Sequence, residues 1–139
     1  MNGLEIEFPN LSQTSYQITS PHDKKYNCIA WAARDQNNWW WPIGAFWPPR
    51  VQRALSLDAF VEAYATIRYS PCENGEYEDG FEKVAIYVDS NHEPKHAARQ
   101  IGKDIWTSKL GRDIDLSHEL EGLEGAAYGS AVMFLKRRK

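Results

Sequence analysis

Two side chains far apart in this chain could together carry out covalent chemistry, Cys28 and His96. A thiol attacks as its thiolate, and the first turn of a helix favours that form because its free N–H groups and dipole stabilise negative charge. An imidazole beside it can take the proton. Alone, each residue reads differently. A cysteine flanked by Ile29, Ala30 and Trp31 is a small buried hydrophobe, and a single histidine is a satisfied core or surface group. It is the pair that points to nucleophilic catalysis.

The elements needed to position the pair can be read from the pattern. Asp23 is a capping residue, Tyr26, Ile29, Ala30 and Ala33 recur at helical spacing, and Asp35-Gln36-Asn37-Asn38 ends the run, so Cys28 is expected in the first turns of a short helix. Ser56 caps a second helix, expected to run to about Arg68 with Leu57, Phe60, Val61, Tyr64 and Ile67 on one face. Residues 83–88, 95–101 and 105–109 read as three sequential antiparallel strands, with His96 on the second. A short strand is expected around Tyr16, a helical or turn segment over 114–120, and a last strand over Ala131–Leu135. Helices first and strands after predict an α+β fold, N-terminal helices packed on an antiparallel sheet, in one domain spanning 1–139.

Tyr26-Asn27-Cys28-Ile29-Ala30-Trp31-Ala32, then His96-Ala97, then Trp106-Thr107-Ser108-Lys109-Leu110-Gly111 resembles the papain-like cysteine hydrolase superfamily in the order Cys-helix, His-strand, next strand. The resemblance covers roughly residues 22–111 and implies a minimal papain-like fold with Cys28 as nucleophile and His96 as general base. The family's oxyanion-hole glutamine falls on His22, and Asn27 or the Cys28 N–H could donate instead. Its base-orienting residue falls on Ser108, with Asp104 at the start of the same strand, or Asp113 or Asp115 after it, as alternative carboxylates. The chain also resembles small bacterial domains without assigned function, which implies no chemistry.

Six tryptophans are unusual for 139 residues, and four of them stand in Trp39-Trp40-Trp41-Pro42 and Phe46-Trp47-Pro48-Pro49. The prolines and Gly44 make this stretch a loop, either a core lid or a stacking platform. Trp31, Trp39, Trp40, Trp41, Trp47 and Trp106 are the candidate substrate-binding aromatics.

A net charge of -3 argues against a nucleic-acid partner, and the basic run Lys136-Arg137-Arg138-Lys139 reads as a solvated terminus. No apolar stretch approaches the roughly 20 residues that span a bilayer, and the N-terminus lacks a signal-peptide pattern. With only Cys28 and Cys72, a reducing cytoplasm is expected. No Gly-rich phosphate loop appears, and His22, His92, His96 and His118 lack paired metal-ligand spacing, so neither cofactor nor metal is expected. The functional expectation is a cysteine-dependent hydrolase, a peptidase, amidase or deamidase working through an acyl-thioester on a peptide or protein substrate. The alternatives are a non-catalytic protein- or glycan-binding module using the aromatic loop, or a toxin- or effector-type domain. Oligomeric state is left open.

Overall fold

The computed structural model describes residues 3–20, 25–110 and 114–139. Its elements, in chain order, are helix α1 (Gly3–Glu7), a 3-10 turn (Pro9–Gln13), strand β1 (Tyr16–Ser20), helices α2 (Cys28–Ala32) and α3 (Leu57–Ala65), strands β2 (Ser70–Cys72), β3 (Phe81–Val88), β4 (Pro94–Gly102), β5 (Ile105–Lys109) and β6 (Asp115–His118), a second 3-10 turn (Leu120–Leu123) and strand β7 (Ser130–Arg138). The seven strands join one sheet in the order β1-β6-β5-β4-β3-β7-β2, and each pairing between them is antiparallel. The anticipated meander is its centre, and β7 adds beside β3.

The fold class needs correction. The protein is mainly β, not α+β with helices layered on a papain-like sheet: among the described residues, strand outnumbers α-helix more than two to one, and α1 and α2 have five residues each. Two strands come from segments lacking the alternation that announces a strand. In β6 the residues sent inward include Asp115 and His118, polar types that mask the pattern. In β2 Pro71 would disrupt a central strand, but β2 is the sheet edge, where the missing N–H is tolerated. The helices are short for local reasons. Asp35 accepts the backbone N–H groups of Asn37 and Asn38 and stops α2 after little more than one turn, while Arg68 at φ 77 closes the segment after α3. The basic run is not a loose tail either. It lies largely in β7, where Lys136 meets Glu78 at 3.0 Å and Arg137 meets Glu82 at 2.9 Å.

Both sheet faces are covered, which explains the continuous burial from Lys83 to Val88. On one face α2, α3 and the aromatic loop enclose a core containing Cys28, Ile29, Phe60, Tyr64, Val84, Ile86, Ala97 and Leu135. On the other, Phe8 and Leu11 from the N-terminal segment and Leu123 close over Ala85, Tyr87, Ala98, Trp106 and Leu116. The second cover is anchored by a bridge between Gly125 and Gly129. Gly129 sits at φ +79, and a Cβ there would run into the Val88 carbonyl oxygen of the neighbouring strand. Strain and clash combine, so Gly129→Ala is expected to cost roughly 2–4 kcal/mol, read as a lowered urea midpoint with unchanged slope. A cost under about 0.5 kcal/mol, the level of an ordinary surface change, would show that this turn does not constrain the sheet.

Candidate functional site

Cys28 opens α2, and Asn27 caps that helix by accepting the Ala30 N–H at 3.0 Å. The expected position is therefore met, but the environment is not that of a nucleophile. Cys28 is 7% exposed and lies against Ala97 of β4, whose backbone N–H points to the sulfur. Burial pushes the thiol up to about 11, against smaller opposing hydrogen bonds from the Ala97, Ile29 and Cys28 backbones. A one-turn helix end does not overcome that desolvation.

His96 precedes Ala97 on the same strand, so its side chain leaves the opposite face of the sheet. There it stands opposite Tyr87 in the register, stacks on Tyr128 at 4.0 Å between ring centroids and is fully buried. The sheet separates the thiol from the imidazole. The structure thus does not bring Cys28 and His96 together, and the resemblance to papain-like enzymes loses the contact on which its chemistry depends.

What His96 does meet is Ser108. Its Nε2 lies 2.9 Å from Ser108 Oγ, which lies 2.6 Å from Nε2 of His118. The proton positions are set by elimination. His118 Nδ1 is 2.7 Å from the Glu119 carbonyl, which can only accept, so Nδ1 carries the proton and Nε2 accepts from the Ser108 hydroxyl. Ser108 oxygen then accepts from His96 Nε2–H, leaving His96 Nδ1 as a bare lone pair, and that atom has no hydrogen-bond partner among the described residues. Burial, with the nearby His118, holds His96 well below its usual value, and burial lowers His118 to about 4 despite its bond to Glu119. The row is a neutral, buried relay. Its outer member His118 borders a surface groove of about 380 Å³ shared with Tyr16, Gln17, Asp104 and Glu119. Ser108 is flanked by two imidazoles as an activated serine would be, but at 0% exposure no substrate reaches it.

The remaining candidates scatter. Asp104 is an exposed turn residue at the far end of the β4–β5 hairpin, the length of a six-residue strand run, or roughly 20 Å, from His96. His22 lies outside the described residues, as does Asp113. Asn27 is engaged structurally: besides capping α2 it donates to the Trp40 carbonyl at 2.7 Å and accepts the Trp40 N–H at 3.1 Å. Trp106 is buried on the His96 face, whereas Trp31 is half-buried on the other, bonding Thr107 at 3.1 Å with Arg99 over its ring. His118 is the one member of the relay that sequence reasoning passed over, because only the register Trp106↔His118 places it beside β5.

The aromatic loop divides into a plug and a face. Trp40 and Trp47 are buried, stacking on Tyr64 and edging Phe60, and Trp41 sits edge-on to Phe60. Ile43 and Phe46 point outward at 60% and 42% exposure, and half-buried Trp39 flanks them in sequence. Arg53 fixes the backbone between them by donating to the carbonyls of Pro42 and Ala45.

Among the described residues, no helix is long and apolar enough to cross a membrane. The model of a family described as "Domain of unknown function (DUF7689)" matches residues 17–136, a span that runs from β1 to β7 and reaches every strand of the sheet. No curated protein and no solved structure matches the chain.

This geometry sets two expectations. Iodoacetamide should alkylate Cys28 slowly at neutral pH and with no dependence on His96, half-buried Cys72 serving as comparator in the same digest. Fast reaction well below the roughly pH 8.5 of a free thiol, lost in His96→Ala, would restore an activated pair. The relay has its own signature. Below about pH 6.5 the unfolded chain protonates both imidazoles while the folded chain does not, so stability falls as pH drops, by up to about 2.7 kcal/mol per pH unit. Urea unfolding between about pH 6.5 and 5 reads this, and His118→Asn should remove about half the slope. An unchanged slope would mean that His118 is charged in the native protein.

Proposed function

The chain belongs to the DUF7689 family, a membership that brings no activity with it, and we propose that it works as a non-catalytic binding module whose recognition element is the aromatic loop, residues 39–50. The observation that carries this reading is the contrast within that loop: a backbone tied down at Asn27, Asp35 and Arg53 nevertheless presents Ile43 and Phe46 to solvent. Two outward apolar side chains on one fixed loop, beside an apolar groove, form a patch of the kind that contacts a partner. Rigid display of apolar anchors is what low-cost binding needs, since little further order is lost on association.

Phe46, Pro48, Pro49 and Ile67 line an apolar groove of about 470 Å³ beside this face, and Arg50 is its one charged lining residue among those described. That combination fits an extended peptide segment of a partner protein, with an apolar side chain seated in the groove and an acidic residue next to it reaching Arg50. Both cysteines are free, which suits a reducing cytoplasm. The catalytic alternative would need an exposed, lowered thiol, and Cys28 is the opposite on both counts.

The test is a phage-displayed library of random peptides, selected on the intact protein and, in parallel, on the Ile43→Asp, Phe46→Ala double variant. Both positions are exposed, so the variant should keep its melting temperature within a few degrees, while selected peptides bind it at least tenfold more weakly. Enriched sequences should carry an aromatic or aliphatic residue adjacent to Asp or Glu. No enrichment, or equal binding to both proteins, would remove the loop as a recognition face.

A further inference from the structure

Away from the aromatic loop, on the same sheet face, three arginines from three elements gather around one carboxylate. Glu82 on β3 accepts Arg34 at 2.7 Å from the turn after α2 and Arg137 at 2.9 Å from β7. Arg99 on β4 stands on the same face, stacked over Trp31 at 5.5 Å. Burial raises the Glu82 carboxyl, but the bond from Arg137 and the charges of Arg137, Arg34 and Arg99 outweigh it and hold the group below its usual range. Glu82 is therefore ionised and already shared, leaving two positive charges in excess within a partly buried cluster.

Two buried donors in this cluster lack partners. The Nε of Arg99 and the hydroxyl of Tyr69 have no hydrogen bond among the described residues, and Tyr69 feels the charges of Arg137, Glu82, Arg99 and Arg34 together, with Arg137 over its ring at 4.6 Å. A buried unpartnered donor costs on the order of 1–3 kcal/mol, and here two occur beside uncompensated guanidiniums. Burial, with repulsion from Arg34 and Arg137, pulls even the Arg99 guanidinium down. Such an arrangement is stabilised by an anion. A cavity of about 390 Å³ opens beside the cluster, lined by the charged Arg34, Arg99, Glu82 and Lys139, by Gln100, and by Tyr77, Phe81 and Ile101, with Tyr77 and Ile101 at 40% and 52% exposure; Arg137 and Tyr69 stand behind this lining, Arg137 paired with Glu82.

We propose that this cavity binds a small organic phosphate, the phosphate group taken by Arg99 and Arg34 and the apolar body of the ligand lying against Phe81, Tyr77 and Ile101. Planar guanidiniums form paired hydrogen bonds to phosphate oxygens, and a dianion matches an excess of two charges where a carboxylate would leave one. The cavity volume is in the range of small-molecule sites. The carboxylate in the lining, Glu82, is already engaged by Arg34 and Arg137, which fits a site that holds its ligand without transforming it.

The test uses the full chain with three probes at matched ionic strength: inorganic phosphate, phenyl phosphate and benzoate, by calorimetry and melting temperature. Phenyl phosphate should bind tightest and inorganic phosphate more weakly, with benzoate weakest of the three. Arg34→Gln should weaken phenyl phosphate roughly tenfold and Arg99→Gln more, with exposed Lys103→Gln unchanged as a control. Should Arg99→Gln not fold, Arg34→Gln decides alone, since that side chain is 56% exposed. The proposal is overturned if neither phosphate binds at about 10 mM, a level that would raise stability measurably for any site of millimolar affinity. Binding indifferent to Arg34→Gln overturns it equally, and benzoate matching phenyl phosphate would make this a carboxylate site.

Discussion

A strand buried on both faces sends neighbouring residues into separate compartments, and in β4 this parts the two groups that catalysis would need side by side. Ala97 faces the helices and receives the Cys28 sulfur, whereas His96, one residue earlier, faces the N-terminal cover and joins Ser108 and His118. The alternation of the pleat fixes this, since a one-residue change of register would invert every contact on both faces at once. With β3 buried along Lys83–Val88 and β4 held between β3 and β5, no such change is open to the structure. The separation of thiol and imidazole is therefore a property of the architecture and not of a rotamer.

Two-sided burial also explains the polar residues inside. Lys83 is fully buried yet reaches Glu78 at 2.7 Å and the Asn74 carbonyl at 3.0 Å, and Gln100 bonds the Gly75 carbonyl at 2.8 Å. Both anchor the 74–80 segment to the sheet. The His96–Ser108–His118 row ties β4, β5 and β6 across the other face by side chains as well as by the ladder. Each link is satisfied except the inner nitrogen of His96, and burial favours the neutral form of both rings. Polar groups whose types suggest chemistry are here cross-strand fasteners.

How much of this was legible depended on whether a segment's pattern was apolar. β3, β4, β5 and β7 came from strand-forming runs between turn signals, and α3 from its Ser56 cap. β6 did not, because Asp115 and His118 occupy inward positions, and β2 did not, because Pro71 signals a loop unless the edge position is known. The helix around Cys28 was expected from an Asp23 cap, but Asn27 caps it, so Tyr26 falls before the helix and only five residues are helical. For the site, sequence order suggested a Cys–His pair, but order along a chain cannot say which side of a sheet a residue leaves. That information lies in which cover docks on which face of β4, the α2 side over Ala97 and the N-terminal segment over Ala98, and no local pattern states it.

The motif around Cys28 has a different logic once α2 is seen as a joint. Asn27 at its start clamps both backbone polar groups of Trp40, Asp35 just beyond its end receives the Trp40 indole at 2.8 Å, and Arg34, in the left-handed conformation at φ 65, swings back to Glu82. Five helical residues thus orient the aromatic loop at one side and the arginine cluster at the other. Cys28 is a small buried side chain of this joint, packed in the same core as Ala97 of β4, whose N–H lies against its sulfur. Asn27-Cys28, read as a nucleophile and its neighbour, is better explained by the packing of a short helix on the sheet, which asks for a cap and a small apolar side chain in that order.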